Sequence, residues 1–309
     1  MNKIFLFLLI FTQLSAKIRF FSFQYNRPEF LEFQHKLLKK FVLDDFELIV
    51  FNDARDPTLE IAIRNICNKN NIPYVRYEQE WHKTDPLNEY ILHILEDPRT
   101  DSPFQLDSVH GKLTAEIISR YPGFRHCHVI QYALDHYGYD HDDIVVILDH
   151  DLFPMKPLSI RKLLEDAPLI GIEHIGRHGD RYLWVPFIAF DPKRFPNIRD
   201  LKFHCDAINH HFYDTGAASY HYLKNNPNVP YRMYPRIYDQ EFYHLSTRKL
   251  QHLGLSRDEI RLIKDLPWPG CIEFYIDFHF LHYCGGYIDS HPIKQSAVLD
   301  YLRRVLNKE

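Results

Sequence analysis

Residues 143–158 read Asp-Ile-Val-Val-Ile-Leu-Asp-His-Asp-Leu-Phe-Pro-Met-Lys-Pro-Leu, and no other stretch limits the fold as much. The run from Ile144 to Leu148 is apolar at every position and rich in β-branched residues. It therefore has no polar side to turn to water, and reads as a strand buried on both faces, of the kind found in the middle of a parallel sheet. The run stops at carboxylates. Side chains alternate along a strand, so Asp149 and Asp151 are expected to share a side where pairing ends, with His150 pointing the other way. Open α/β sheets bind ligands at the carboxyl ends of their strands. Two aspartates held there repel each other until a divalent, oxygen-seeking cation joins them, and such a cation keeps positions free for phosphate oxygens. The expectation is a metal-diphosphate site. The plain alternative is a turn in which Asp149 caps and Asp151 is solvated.

The chain around this strand alternates in the manner of a parallel sheet. Ile18 to Phe23 reads as a first strand, broken by Gln24-Tyr-Asn-Arg-Pro28, because proline lacks a donor and biases its predecessor away from helix. Glu29 to Val42 carries apolar residues at helical spacing, with Lys36, Lys39 and Lys40 late in the element where they suit its dipole. Phe46 to Phe51 is a second strand that ends at Asn52-Asp53, and a strand-helix-strand unit of this length begins a parallel sheet. A helix over 58–70, a short strand over 73–77 and a helix over 126–136 follow. Residues 81–109 are poor in pattern and read as a loop or lid, and 112–119 as apolar on one face. Beyond the acidic strand the elements shorten, with strands over 169–173 and 182–190 and helices over 256–264 and 291–306.

With 309 residues and no compositional break, the chain reads as one large domain over 17–309: an alternating half to about 155, and a mixed half over 156–309 that would grip an acceptor if the first half holds a nucleotide. A net charge of −4, with no basic run, removes the reason to expect nucleic acid. The five cysteines are scattered and never paired as C-x-x-C, which argues against a disulfide framework or zinc ribbon. Residues 1–16 have a basic start, a short apolar core and a small-residue exit; they read as a secretory signal peptide, too short to span a bilayer as a helix. Export into a secretory lumen is the corresponding expectation, with an uncleaved anchor or an extra apolar segment of the fold as alternatives.

Three further places carry candidate chemistry. Tyr213-Asp-Thr-Gly-Ala217 sets a carboxylate and a hydroxyl before a glycine that allows close backbone approach to a ligand; read blandly, it is an ordinary turn. Asp239-Gln240-Glu241 opens a helical segment, so Asp239 is either a helix cap or a functional carboxylate. Phe278-His-Phe-Leu-His282-Tyr-Cys-Gly-Gly286 places two histidines three apart before paired glycines, and a histidine in such a strand is otherwise a satisfied structural residue.

Taken in order, strand then Tyr-Asn-Arg, strand then Asn-Asp, apolar strand then Asp-x-Asp, then Asp-Thr-Gly, Asp-Gln-Glu and His-Tyr-x-Gly-Gly, the chain resembles the GT-A-fold glycosyltransferases. The resemblance implies a Rossmann-like α/β fold, with a mostly parallel central sheet flanked by helices and a mixed C-terminal half. It implies that Asp149 and Asp151, joined by His282, bind Mn2+ or Mg2+ and through it the diphosphate of a nucleotide-sugar donor. Tyr25, Asn26, Arg27 and Asp53 fall where that fold contacts base and ribose, Asp214 and Gly216 where it borders the sugar, and Asp239-Gln240 near the acceptor. The Lys-Pro-Trp that often follows the late histidine in glycogenin-like members is replaced by Gly286-Tyr-Ile-Asp, which leaves the stereochemical outcome open.

The activity so implied is metal-dependent transfer of a sugar from a nucleoside-diphosphate sugar to a hydroxyl of a glycan, lipid or protein. Inversion requires a carboxylate base, for which Asp214 or Glu241 are the candidates; retention would use a group on the opposite sugar face, such as Asp239 or Gln240. Two rivals share the acidic strand end. A nucleotidyltransferase or phosphoesterase would want further carboxylates for a second metal, and a glycan-binding protein would bind without turnover.

Overall fold

The computed structural model describes residues 16–78, 90, 93–94, 97, 99–100, 122–266, 272–284 and 292–308. The signal-like residues 1–15, nearly all of the loop or lid over 81–109, and the 112–119 segment lie outside them.

The N-terminal half follows the expected alternation: β1 (Ile18–Gln24), α1 (Pro28–Phe41), β2 (Phe46–Asn52), α2 (Pro57–Asn70), β3 (Tyr74–Arg76), α3 (Pro122–Ala133) and β4 (Ile144–Asp149). Proline starts α1, α2 and α3, where its missing N–H costs nothing. Asp56 caps α2 by accepting from the Thr58 and Leu59 amides, and Asn71 closes it in the left-handed conformation.

After a short β5 (Leu152–Pro154) and a one-turn α4 (Ile160–Leu163) come β6 (Leu169–Ile175), β7 (Arg181–Phe190), β8 (Asp206–Ile208), β9 (His211–Tyr213), α5 (Ser219–Asn225), β10 (Tyr231–Tyr234) and β11 (Ile237–Tyr238). The chain then runs through α6 (Gln240–Tyr243), α7 (Thr247–His252), α8 (Arg257–Asp265), β12 (Ile272–Tyr275), β13 (Phe280–Tyr283) and α9 (Pro292–Asn307).

The main sheet has seven strands in the order β10-β6-β7-β4-β1-β2-β3. Its pairs are parallel except those made by β7, which runs antiparallel to both β4 and β6. The mostly parallel α/β class is therefore present, and β4 sits at its centre with one parallel and one antiparallel neighbour. Alternation sorts the side chains between two layers. Ile144, Val146 and Leu148 join Phe20, Leu31, Leu38 and Ile63 on the α1/α2 side. Val145 and Ile147 join Phe21, Phe51, Val129 and Ile130 on the α3 side. Such burial on both faces is what the uninterrupted apolar run requires.

A second, antiparallel sheet, β11-β12-β13-β5, lies beyond the acidic turn. It packs on α8, α9 and the Phe30 and Leu37 side of α1. A Ser256–Glu259 capping box starts α8.

Candidate active site

β4 ends at Asp149, and residues 150–151 turn out of the sheet before β5 begins. Alternation holds only while a strand continues, so it lapses here before Asp151 is reached. His150 consequently does not turn away: Asp149, His150 and Asp151 each place one ligand-type atom within 4.8 Å of the others. His150 Nδ1 lies 3.2 Å from Asp149 Oδ1, and its ring stacks on Phe30.

Gln34, buried on α1, holds the turn at both ends. Its amide donates to the carbonyl oxygens of Asp149 at 2.7 Å and Leu152 at 2.9 Å. Its own oxygen accepts from the Ser22 hydroxyl at 2.5 Å and the Gln24 amide at 3.2 Å.

The third expected ligand arrives through the antiparallel sheet. β5 pairs with β13, which places His282 opposite Leu152, and the Tyr283 amide donates to the Asp151 carbonyl at 2.9 Å. His282 Nε2 then stands 3.3 Å from Asp151 Oδ1. On the other side of β13, Glu273 of β12 is the register partner of His282.

These groups form one end of a cleft of about 490 Å³. Burial would lift the Asp149 carboxyl, but His126, with Nε2 at 3.7 Å, and then His150 and His282 bring it well below the usual carboxylate range. Burial would likewise strip protons from His150 and His282. For His150 the Asp151 and Asp149 carboxylates outweigh it; for His282, Tyr275, Cys284 and Asp151 do so; both imidazoles titrate above their usual range. The carboxylates thus draw positive charge to themselves, as protons in the absence of a metal.

Carboxylate oxygens with imidazole nitrogen suit Mn2+, and the oxygens alone suit Mg2+. His150 Nε2 is a buried nitrogen with no hydrogen-bond partner among the described residues, and a nearby ligand would offset its desolvation. The residues fit such an ion.

At the carboxyl ends of β1 and β2 the cleft is lined by Tyr25, Asp53, Arg55 and Arg125. Arg125, from α3, donates to Asp53 Oδ2 at 2.6 Å and lies 3.9 Å over the Tyr25 ring. Asn26 and Arg27, expected beside them, do not line the cleft. Asn26 takes the left-handed conformation at φ 51°, accepting from the Asp56 amide at 3.4 Å, and Arg27 is the residue before α1.

On the wall opposite, Asp214 and Thr215 face the cleft. The Asp214 carboxylate accepts from the Thr215 amide at 2.7 Å and hydroxyl at 3.2 Å; burial nevertheless raises its pKa above the usual range. Gly216 has φ 98°, and a Cβ there would sit 2.2 Å from the Leu183 carbonyl oxygen. The close approach this glycine permits is to β7, not to a ligand.

Asp239, Gln240 and Glu241 are absent from the cleft lining. Asp239 is buried and precedes α6 without capping it by its side chain, while Gln240 and Glu241 are exposed. The structure therefore gathers Tyr25, Asp53, Asp149, Asp151, Asp214 and His282, and leaves Asn26, Arg27, Gly216, Asp239, Gln240 and Glu241 outside the cleft lining. It adds Arg125, His126, Arg236 and Glu273, which no motif announces. Glu273 carried one usable signal: it is the lone charge in the short apolar run Ile272–Tyr275.

No family model matches the chain, and no curated protein does. Among solved structures, it is similar in fold to a mannosyltransferase from Pyrobaculum calidifontis in complex with GDP-mannose and Mn2+, at 12% identity and a TM-score of 0.40, covering 72% of this chain and 55% of that one. The galactosyltransferase LgtC, in complex with donor and acceptor sugar analogues, is similar at 12% identity and a TM-score of 0.42, over 93% of this chain and 95% of that one. The bifunctional glycosyltransferase WbbM aligns over 62% of this chain and 33% of its own, at 11% identity and a TM-score of 0.31. The chain thus spans about half the length of the mannosyltransferase and a third of WbbM.

Proposed function

We propose that the chain is a metal-dependent glycosyltransferase, moving a sugar from a nucleoside-diphosphate sugar to a hydroxyl acceptor. The observation that carries this is convergence. One cleft at the carboxyl ends of β1, β2 and β4 holds an acidic pair with a histidine at one place, and an aromatic ring, a carboxylate and an arginine at another. A ligand with an anionic middle and a polar aromatic end fits that division.

In this reading Asp149, Asp151 and His282 hold Mn2+ or Mg2+, with His150 beside them. Tyr25 and Asp53, braced by Arg125, take the nucleoside. A bound divalent ion supplies electrostatic stabilisation of the charge that builds on the leaving diphosphate. Arg55 lines the cleft at this nucleoside end, while the Arg125 charge is balanced by Asp53. Asp214 faces the cleft with a raised pKa, which suits a carboxylate that accepts the proton of the acceptor hydroxyl. Residues 1–16 would direct the chain to a lumen supplied with nucleotide sugars; N-terminal sequencing of the mature protein would find the start near Lys17.

The test is a donor screen. With Mn2+, titration calorimetry should detect binding of at least one nucleoside diphosphate, and the corresponding nucleotide sugar should release free sugar slowly to water. Asp149→Ala with Asp151→Ala should abolish both. Failure of every nucleoside diphosphate to bind would sink the reading; binding without any turnover, with acceptors supplied, would favour a pure binding protein.

A further inference from the structure

We infer that Glu273, acting with the Tyr275 hydroxyl, is a positioning residue that fixes the His282 ring with its proton on Nδ1 and its Nε2 lone pair aimed at the Asp151 side of the metal site. The inference deepens the proposed function, since it rests on His282 as a metal ligand.

Three strands set the geometry. β13 lies between β5 and β12, so the register that brings His282 to the acidic turn also sets it across from Glu273. The two nitrogens of one imidazole consequently face different partners. Nε2 is 3.3 Å from Asp151 Oδ1, whereas Nδ1 is 2.7 Å from the Tyr275 hydroxyl and 3.2 Å from Glu273 Oε2. The Tyr275 hydroxyl itself donates to Glu273 Oε2. With that hydrogen committed, its oxygen can only accept, and a carboxylate can only accept. The nitrogen between them is therefore the donor whether the ring carries one proton or two, so the proton a metal would displace is the one on Nε2, which leaves there the lone pair a ligand needs.

Glu273 is itself held. It is 2% exposed and receives the Arg236 guanidinium, which also lies over the Trp184 and Tyr238 rings. Cys284 stands 3.6 Å from His282 Nδ1 and joins Glu273 and His282 in a ligand-type cluster. This cluster does not read as a second metal site. Arg236 already neutralises Glu273, and the Tyr275 hydroxyl contacts both Glu273 and His282 where an ion would sit.

Metal affinity alone, without nucleotide, tests the assignment. Glu273→Met, which keeps the volume and removes both oxygens, should weaken Mn2+ binding by about 10- to 100-fold, the usual loss when a ligating histidine is deprived of its partner. In a His282→Ala background the same change should have no further effect, because its influence passes through the imidazole. If Glu273→Met does not fold, Glu273→Gln takes its place in the same cycle. Mn2+ affinity unchanged by the Glu273 substitution, while His282→Ala weakens it, overturns the inference alone. An equal loss with and without His282 also overturns it, since a structural role adds independently. Mn2+ affinity unchanged by His282→Ala overturns both this assignment and the metal reading beneath it.

Discussion

Gln34 makes two hydrogen bonds that hold the acidic turn, and its loss isolates what that restraint contributes. Gln34→Leu would leave the Asp149 and Leu152 carbonyls short of a donor, at about 1–3 kcal/mol for each that stays buried. The expected outcome is a fall in unfolding free energy of about 2–4 kcal/mol, read in urea, with weaker Mn2+ binding in the molecules that remain folded. Stability loss with unchanged Mn2+ affinity would show that the turn keeps its shape unaided. Gly216 is a second single-residue dependence. Gly216→Ala combines φ 98° with a contact of 2.2 Å to a backbone oxygen, and should cost at least about 2 kcal/mol. A variant as stable as the parent would show that β7 can yield there. Asp214 lies two residues away, so nucleotide-sugar turnover should fall as well. The sequence identified this glycine correctly as a place of close approach and misread what approaches, because the neighbour, Leu183, is distant in the chain.

At the scale of elements, what could be read and what could not divide along the source of the signal. β1, α1, β2, α2 and β4 were legible because each carries its own signal: 3.6-residue spacing for a helix, and a largely apolar run for a strand buried on both faces. β4 is also where a single apolar truncation should be most damaging. Ile147 is fully buried within the α3-side cluster, and Ile147→Ala should lower stability by about 2–5 kcal/mol without changing Mn2+ affinity beyond the loss of folded protein. A cost under about 1 kcal/mol would mean the site collapses around the cavity. β5 and β12 escaped because three- and four-residue strands carry too little pattern; β13 was legible as a strand around His282, but its partners were not. The orientation of His150 escaped for a related reason: alternation needs the strand to continue, and where pairing stops is decided by tertiary contacts such as those of Gln34.

Over the whole molecule, two histidines set an acid limit. His35, buried on α1 beside Lys39 and Lys36, and His174, half-buried near Arg236, are both depressed to about 4 from 6.5, burial being the largest cause in each. Between pH 6.5 and 4 the unfolded chain binds protons that the folded one refuses. Their contribution to stability is therefore complete above 6.5 and lost as pH falls through that window. His150 and His282 have the opposite sign: their contribution is present below 6.5 and is lost as pH rises through their raised values. The comparison that isolates His35 is His35→Gln against the parent. The stability difference between them should shift in favour of the variant as pH falls from 6.5 to 4, and a difference constant across the window would refute the assignment. Of the cleft, the sequence revealed the residues that sit at strand ends. Arg125 and Arg236 could not be seen, since each acts through a partner brought up by the fold, and Glu273 showed only as a lone charge in an apolar run.

The bridge between β5 and β13 also has a consequence in time. Asp149 and Asp151 leave the ribosome well before His282, and the strands of the parallel sheet up to β4 are complete while the residues that pair with β5 are still unsynthesised. A nascent chain can thus hold its acidic turn with no histidine across from it and β5 without its neighbour. In the proposed reading, metal capture would belong to the last stage of production, when the strand carrying His282 closes onto the turn and completes the site.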